Sequence, residues 1–225
     1  MDVHAPPRIR GGLVVRLAVL VGGLFLFALG IVSFLESRLG LSPWDVLHQG
    51  IARHTPLSFG EANIVVSVTV MTLAWLLGAK VGIGTLANSV LVGAFVTGLT
   101  AIPAVRDLAD DPLGVRIALL AAGVLFCGAG SGLYLAAALG AGPRDSLMVV
   151  GSQRLHARLA IVRAGLELSA LGIGIALGGT FGVGTIAFAL LIGPSIEAWF
   201  WVLRRTDLVE PGPAPAAVPV PAYDL

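Results

Sequence analysis

Arg163 and Glu167 stand four residues apart inside the apolar stretch from Leu159 to Leu177. In a helix that spacing places both on one face, within reach of an ion pair. Charge in the middle of a membrane-crossing helix is costly, so the pair has to face the bundle interior, a cavity or a partner. There it can lock two helices together or receive a charged solute on a permeation path. Glu197, Asn88 and Asn63 lie inside other apolar stretches and pose the same choice, with interhelical hydrogen bonding as the structural reading.

A second chemistry resides in Asp45 and Asp145, each two residues after a proline, Pro43 and Pro143. Proline suits the first position of a helix, and a carboxylate at the third meets unpaired amides and the positive end of the helix dipole. Ser42 is placed to cap the first of these helices. Capping is a sufficient structural account. The functional one is that two helix amino-terminal ends brought together near the membrane midplane attract an anion, with Arg144 beside Asp145 adding a guanidinium for carboxylate or phosphate. The candidate substrate-binding set is therefore Asp45, Asp145, Arg144, Arg163, Glu167 and Asn88.

Other chemistries find no support. His48, His54 and His156 have no metal-ligand spacing, so no metal site is expected. The two GxGT segments lack a Walker lysine and a preceding strand, and read as tight turns instead of phosphate cradles. No serine, cysteine or histidine constellation suggests hydrolysis, and the expectation is a non-enzyme without a cofactor. The lone Cys127 sits in an apolar run as a small packing residue.

The elements that must position these residues occur twice. GLSPWDVLHQ from Gly40 and GAKVGIGTLANSVLVG from Gly78 return as GAGPRDSLMV from Gly140 and GGTFGVGTIAFALLIG from Gly178. The register is ungapped: Pro43 matches Pro143, Gly82 matches Gly182, Gly84 matches Gly184 and Thr85 matches Thr185, and upstream Arg16, Gly23 and Gly30 match Arg116, Gly123 and Gly130. In each GxGT turn the threonine is placed to cap the helix that follows.

The chain has 225 residues, 56 % of them hydrophobic and 12 % charged, and a mean hydropathy of +0.94. Its apolar residues fall in long uncharged runs of the length that crosses a bilayer. The expected architecture is all-α: a polytopic membrane bundle of six transmembrane helices arranged as two inverted three-helix repeats, with short interfacial or re-entrant helices at Pro43 to Arg53 and Pro143 to Arg154. The spans read as Leu13 to Leu35, Ala62 to Leu77, Leu86 to Val105, Val115 to Ala137, Leu159 to Leu177 and Ile186 to Leu203. Residues 1–12 form an amino-terminal segment, 13–105 the first repeat, 106–114 a connector, 115–205 the second repeat, and 206–225 a Pro/Ala-rich tail whose composition favours disorder. In the short helix Trp44, Leu47 and Ile51 make an apolar stripe, and His48, Gln49 and Arg53 a polar side.

Placing the amino terminus inside puts Arg8, Arg10, Arg16, Lys80, Arg144, Arg154, Arg158, Arg204 and Arg205 on the cytoplasmic face, against Arg38, Arg53, Arg106 and Arg116 outside. The positive-inside rule then assigns both termini to the cytoplasm. An odd number of spans per repeat turns the second half upside down relative to the first.

Through GLSPWDVLHQGIARHT, GIGTLANSVLVG, GAGPRDSLM and GVGTIAFALLIGP, the chain resembles the bacterial YczE/YyaS/YitT-type integral membrane proteins from about Leu13 to Arg205. The resemblance implies a multi-pass protein of the bacterial cytoplasmic membrane and brings no activity. Inverted repeats recur in carriers that alternate access, so the expectation is a small secondary transporter or exporter with its site between the halves. The alternative is a non-transporting scaffold or regulatory component acting through helix and tail contacts. Expected partners are the lipid bilayer and a small-molecule or anionic substrate. The net charge of +1 speaks against nucleic acid. Pairs such as Gly128/Gly132 and Gly174/Gly178 suit helix association within the molecule or between copies in a homo-oligomer.

Overall fold

The computed structural model describes residues 6–210, whose regular structure is helical apart from a single bridge between Ile9 and Val209. The helices are α1 (Leu13–Ser37), α2 (Pro43–His54), α3 (Phe59–Leu76), α4 (Ile83–Thr100), α5 (Pro103–Arg106), α6 (Leu113–Ala136), α7 (Pro143–Leu155), α8 (Leu159–Ala176) and α9 (Val183–Leu203). Six of them, α1, α3, α4, α6, α8 and α9, are long and apolar enough to cross a membrane. The chain is a multi-pass helical membrane bundle.

Local chemistry sets most boundaries where the sequence places them. The Ser42 hydroxyl accepts from the Asp45 amide at 3.3 Å and Pro43 occupies the first turn of α2. At α3, Ser58 and Glu61 cap each other reciprocally, a box that satisfies two otherwise orphaned amides. Several span boundaries differ from the sequence reading, α3 starting at Phe59 instead of Ala62 and α9 at Val183 instead of Ile186. The third span stops at Thr100 instead of Val105, because Pro103 starts the separate short helix α5; a proline disfavours helical backbone at the residue before it. Thr85 caps α4 from the third residue of that helix. Its Oγ1 accepts from the Gly82 amide at 3.3 Å and donates to Ala141 O at 2.7 Å, tying the turn to the other half. Thr185 repeats the first of these bonds to Gly182 at 3.2 Å.

The core lies where α1 and α6 cross. Leu24, Ala28, Ile31 and Phe34 are buried there against Val124, Cys127 and Tyr134. Gly30 is required for this approach, since a Cβ would stand 2.6 Å from the Cys127 amide nitrogen and 3.0 Å from Gly123 O. In lipid, where apolar burial gains little, such close packing is what holds helices together. The two helices run antiparallel: Arg16 Nε donates to Ala137 O at 2.7 Å, and Arg116 Nε donates to Ser37 O at 2.7 Å. These bonds exchange places on a shift of one hundred residues. The turns do the same, Gly84 N–H donating to Leu139 O at 2.9 Å and Gly184 N–H to Leu39 O at 2.7 Å.

The polar side of α2 is divided, with His48 enclosed and Arg53 exposed. His48 is fully buried, and the helix packs on α3 and α8, with Gly174 and Gly179 against Val46. Gly128 and Gly132 pack within the molecule too, on Ser195 and Trp199 of α9. Residues 206–210, assigned to the tail from composition, include Val209, which is buried and pairs with Ile9. The remainder of the tail, residues 211–225, lies outside the described residues.

Candidate functional site

A cavity of about 350 Å³ lies between the two halves of the chain. Pro43 and Trp44 at the start of α2 and Pro143, Arg144 and Asp145 at the start of α7 line it together. Trp44 and Arg144 are equivalent positions of the repeat, and they meet: the guanidinium carbon lies 5.1 Å from the indole ring centroid, within range of a cation–π contact. The two short helices thus converge on the cavity by their amino-terminal ends. Asn63 and Ser67 of α3, Asn88 of α4, Ser131 and Tyr134 of α6, and Glu197 of α9 complete the polar lining.

Arg163 and Glu167 also line the cavity, joined by a hydrogen bond of 3.0 Å from Arg163 Nε to Glu167 Oε1. Their side chains are 57 % and 35 % exposed, so the pair stands at the opening and not in the depth. Asp145 is deeper: its Oδ2 accepts from the Tyr134 hydroxyl at 3.3 Å. Arg144 makes no hydrogen bond to any described residue; its contact is the Trp44 ring face. A guanidinium with five donors and no acceptor is equipped to take an anionic group.

Asp45 does not join this lining. It is buried behind it, with Oδ2 accepting from the Ser42 hydroxyl and Oδ1 3.1 Å from His48 Nδ1. The Asn63 amide stands 3.2 Å from the same ring nitrogen, linking this sealed cluster to the cavity wall. His48 Nε2 and Asn63 Oδ1 are buried without a partner. The carboxyls on the two short helices, neither of which spans, differ in their electrostatics. Burial opposes charge on both. At Asp45 the bond and charge of His48, with help from Arg144 and Ser42, overcome it and hold the pKa below the ordinary value. At Asp145 burial wins and raises the pKa, with Arg144 and Arg163 pulling it back only in part.

Of the sequence candidates, the structure gathers Arg144, Asp145, Arg163, Glu167 and Asn88 around one cavity with Pro43 and Pro143, and leaves Asp45 behind the wall. Gly82, Gly84, Thr85, Gly182, Gly184 and Thr185 lie in the turns that bind the halves together, where a Cβ at Gly82 or Gly182 would collide with Leu139 O or Leu39 O. Tyr134 and Ser131 were not singled out from sequence. A signal for Tyr134 existed: its repeat partner is Phe34, so it is a hydroxyl added within an otherwise matching apolar run.

A family of unknown function, DUF6198, matches residues 14–200. An uncharacterized protein of Haemophilus influenzae is 36 % identical over 189 residues, covering 84 % of this chain and 85 % of its own. The uncharacterized membrane protein YczE of Bacillus subtilis is 35 % identical over 146 residues, 61 % of this chain and 63 % of its own. No solved structure matches.

Proposed function

The chain belongs to the DUF6198 family, and on that premise we propose that this membrane protein is a small secondary transporter or exporter, not an enzyme, built as two inverted three-span repeats around one substrate site. The observation that carries the reading is the cavity itself. It takes walls from both halves, charged residues from within two spans, and the amino-terminal ends of two broken segments at corresponding positions, the arrangement expected of a carrier,. Its volume of about 350 Å³ suits a small molecule or a headgroup,.

The inversion is supported by the antiparallel crossing of α1 and α6 with their exchanged arginine bonds. Two equivalent spans lying antiparallel enter the membrane from opposite sides. Arginine placement favours both termini in the cytoplasm of a bacterial cell.

Cys127 is the single cysteine of the chain, so replacing it by alanine gives a background for accessibility measurements. Met148→Cys then places one thiol in the cavity lining. In a carrier that alternates access, a membrane-impermeant maleimide labels this thiol in right-side-out and in inside-out vesicles. Labelling confined to one vesicle orientation would overturn the transport reading in favour of a one-sided pocket on a scaffold.

A further inference from the structure

We propose that the cavity takes an amphiphile with an anionic headgroup, which enters sideways from the bilayer between α8 and α9, sets its anionic group on Arg144 and leaves its tail among the lipids. The inference rests on the carrier site described above and specifies what that site accepts.

The opening follows from helix packing. Around the cavity, packed neighbours run α8, α7, α3, α4, α1, α6, α9, and among the described residues α9 and α8 touch each other too sparsely to close this ring. Their counterparts α3 and α4 do pack, and the reason is in the sequence. Gly60 lies so close to α4 that a Cβ would collide with Gly93 O and Thr97 Oγ1. The equivalent of Gly60 is Ala160, whose methyl group forbids that approach, and Gly193, the equivalent of Gly93, has nothing near it. Pro194, where α4 carries Ala94, removes a further backbone hydrogen bond from α9 beside the gap,. The central windows of α3 and α4 are each 33 % buried, against 11 % for α8 and 17 % for α9. The second half is splayed where the first is shut.

The position of the gap selects the ligand. Glu167 stands midway along α8 and Gly193 midway along α9, at the depth where water is scarce and the surroundings are acyl chains. Arg163 and Glu167 are partly exposed at this opening, a placement that hydrocarbon alone penalises and a polar headgroup relieves. Behind them Arg144 offers guanidinium donors, and Asn88 and Ser131 stand in the same lining, so a headgroup finds a site for an anion and polar side chains for its hydroxyls. About 350 Å³ is the space of roughly a dozen water molecules,. That accommodates a headgroup and not an acyl chain, which leaves the tail outside.

Native mass spectrometry of the full chain in detergent, with phosphatidylglycerol as the amphiphile and glycerol phosphate as its tailless counterpart, tests the proposal. The wild type should retain phosphatidylglycerol at concentrations where glycerol phosphate does not bind. Arg144→Gln, which removes the anion's partner, and Gly193→Trp, which fills the gap from a position facing open space, should each weaken retention about tenfold. Equal retention by both variants would mean surface lipid only and overturn the proposal, as would equal binding of glycerol phosphate. A phosphatidylglycerol carrying a diazirine on its acyl chain gives a readout that needs no substitution. Crosslinks should concentrate on α8 and α9 at the gap, and an even spread over α3 and α4 would also overturn it. Two-sided labelling of Met148→Cys together with failed lipid binding would preserve a carrier for a water-soluble substrate. One-sided labelling with lipid held at the gap would remove transport and leave the amphiphile site standing.

Discussion

The two halves share one scaffold and one register, yet they treat the same positions in opposite ways. In the first half Asp45 is locked among Ser42 and His48, and Gly60 brings α3 against α4. In the second, Gly142 and Met148 stand where Ser42 and His48 were, Asp145 answers to Tyr134, and Arg163 and Glu167 replace Asn63 and Ser67 at the rim of an open cavity. A duplicated unit begins with two equal sites. Here one copy has become a wall with its carboxyl enclosed at Asp45, and the other a mouth lined by Arg163 and Glu167. The difference teaches that the repeat alone does not locate function; the departures from it do.

The comparison breaks most readily at the aspartates. Asp45→Ala strips a buried histidine and serine of their partner and should cost about 3 kcal/mol or more, whereas Asp145→Ala, which releases one long hydrogen bond, should cost about 1 kcal/mol. Reversible unfolding in mixed micelles measures both, and equal losses would mean that Asp145 is as structural as Asp45. Next in size comes the helix pair. Gly60→Ala overpacks α3 on α4 and should lose about 2 kcal/mol in the same measurement, while Ala160→Gly, in a helix already standing clear, should lose no more than about 1 kcal/mol. If Gly60→Ala proved harmless, the explanation for the shut half would be wrong. Smallest is Tyr134→Phe, which restores the residue type of the first half and should cost about 1 kcal/mol or less of stability. Its sharper use is functional. A loss of phosphatidylglycerol retention without a loss of stability would place the hydroxyl among the ligand contacts, and no change in retention would leave it as a support for Asp145.

Six spans, two short helices and the capping of α2 by Ser42 were legible because they depend on local pattern: apolar length, proline position and a hydroxyl before it. The Arg163–Glu167 pair was legible for the same reason, being a contact within one helical turn. What escaped depends on separations of tens of residues. The polar face of α2 reads as one stripe, but His48 is enclosed by Asp45, Asn63 and Phe59 while Arg53 stays exposed, and only tertiary packing decides that. Thr85 reads as a cap until its second bond, to Ala141 across the repeat, shows it bracing the halves. The gap between α8 and α9 was present in the letters as Ala160 against Gly60, a difference of one methyl group whose meaning depends on knowing which helix stands opposite.

The crossing of α1 and α6 also sets a schedule for biogenesis. The carbonyls of Ala137 and Ala138 that receive the Arg16 side chain lie 121 and 122 residues downstream. At ribosomal rates of about 5–20 residues per second, α1 therefore waits on the order of 6–24 seconds in the membrane before its partner exists. During that interval its glycine face is bare to lipid or to insertion factors. A chain truncated before α6 should therefore be cleared faster by membrane quality control than the full chain, which pulse-chase measurement of both would show.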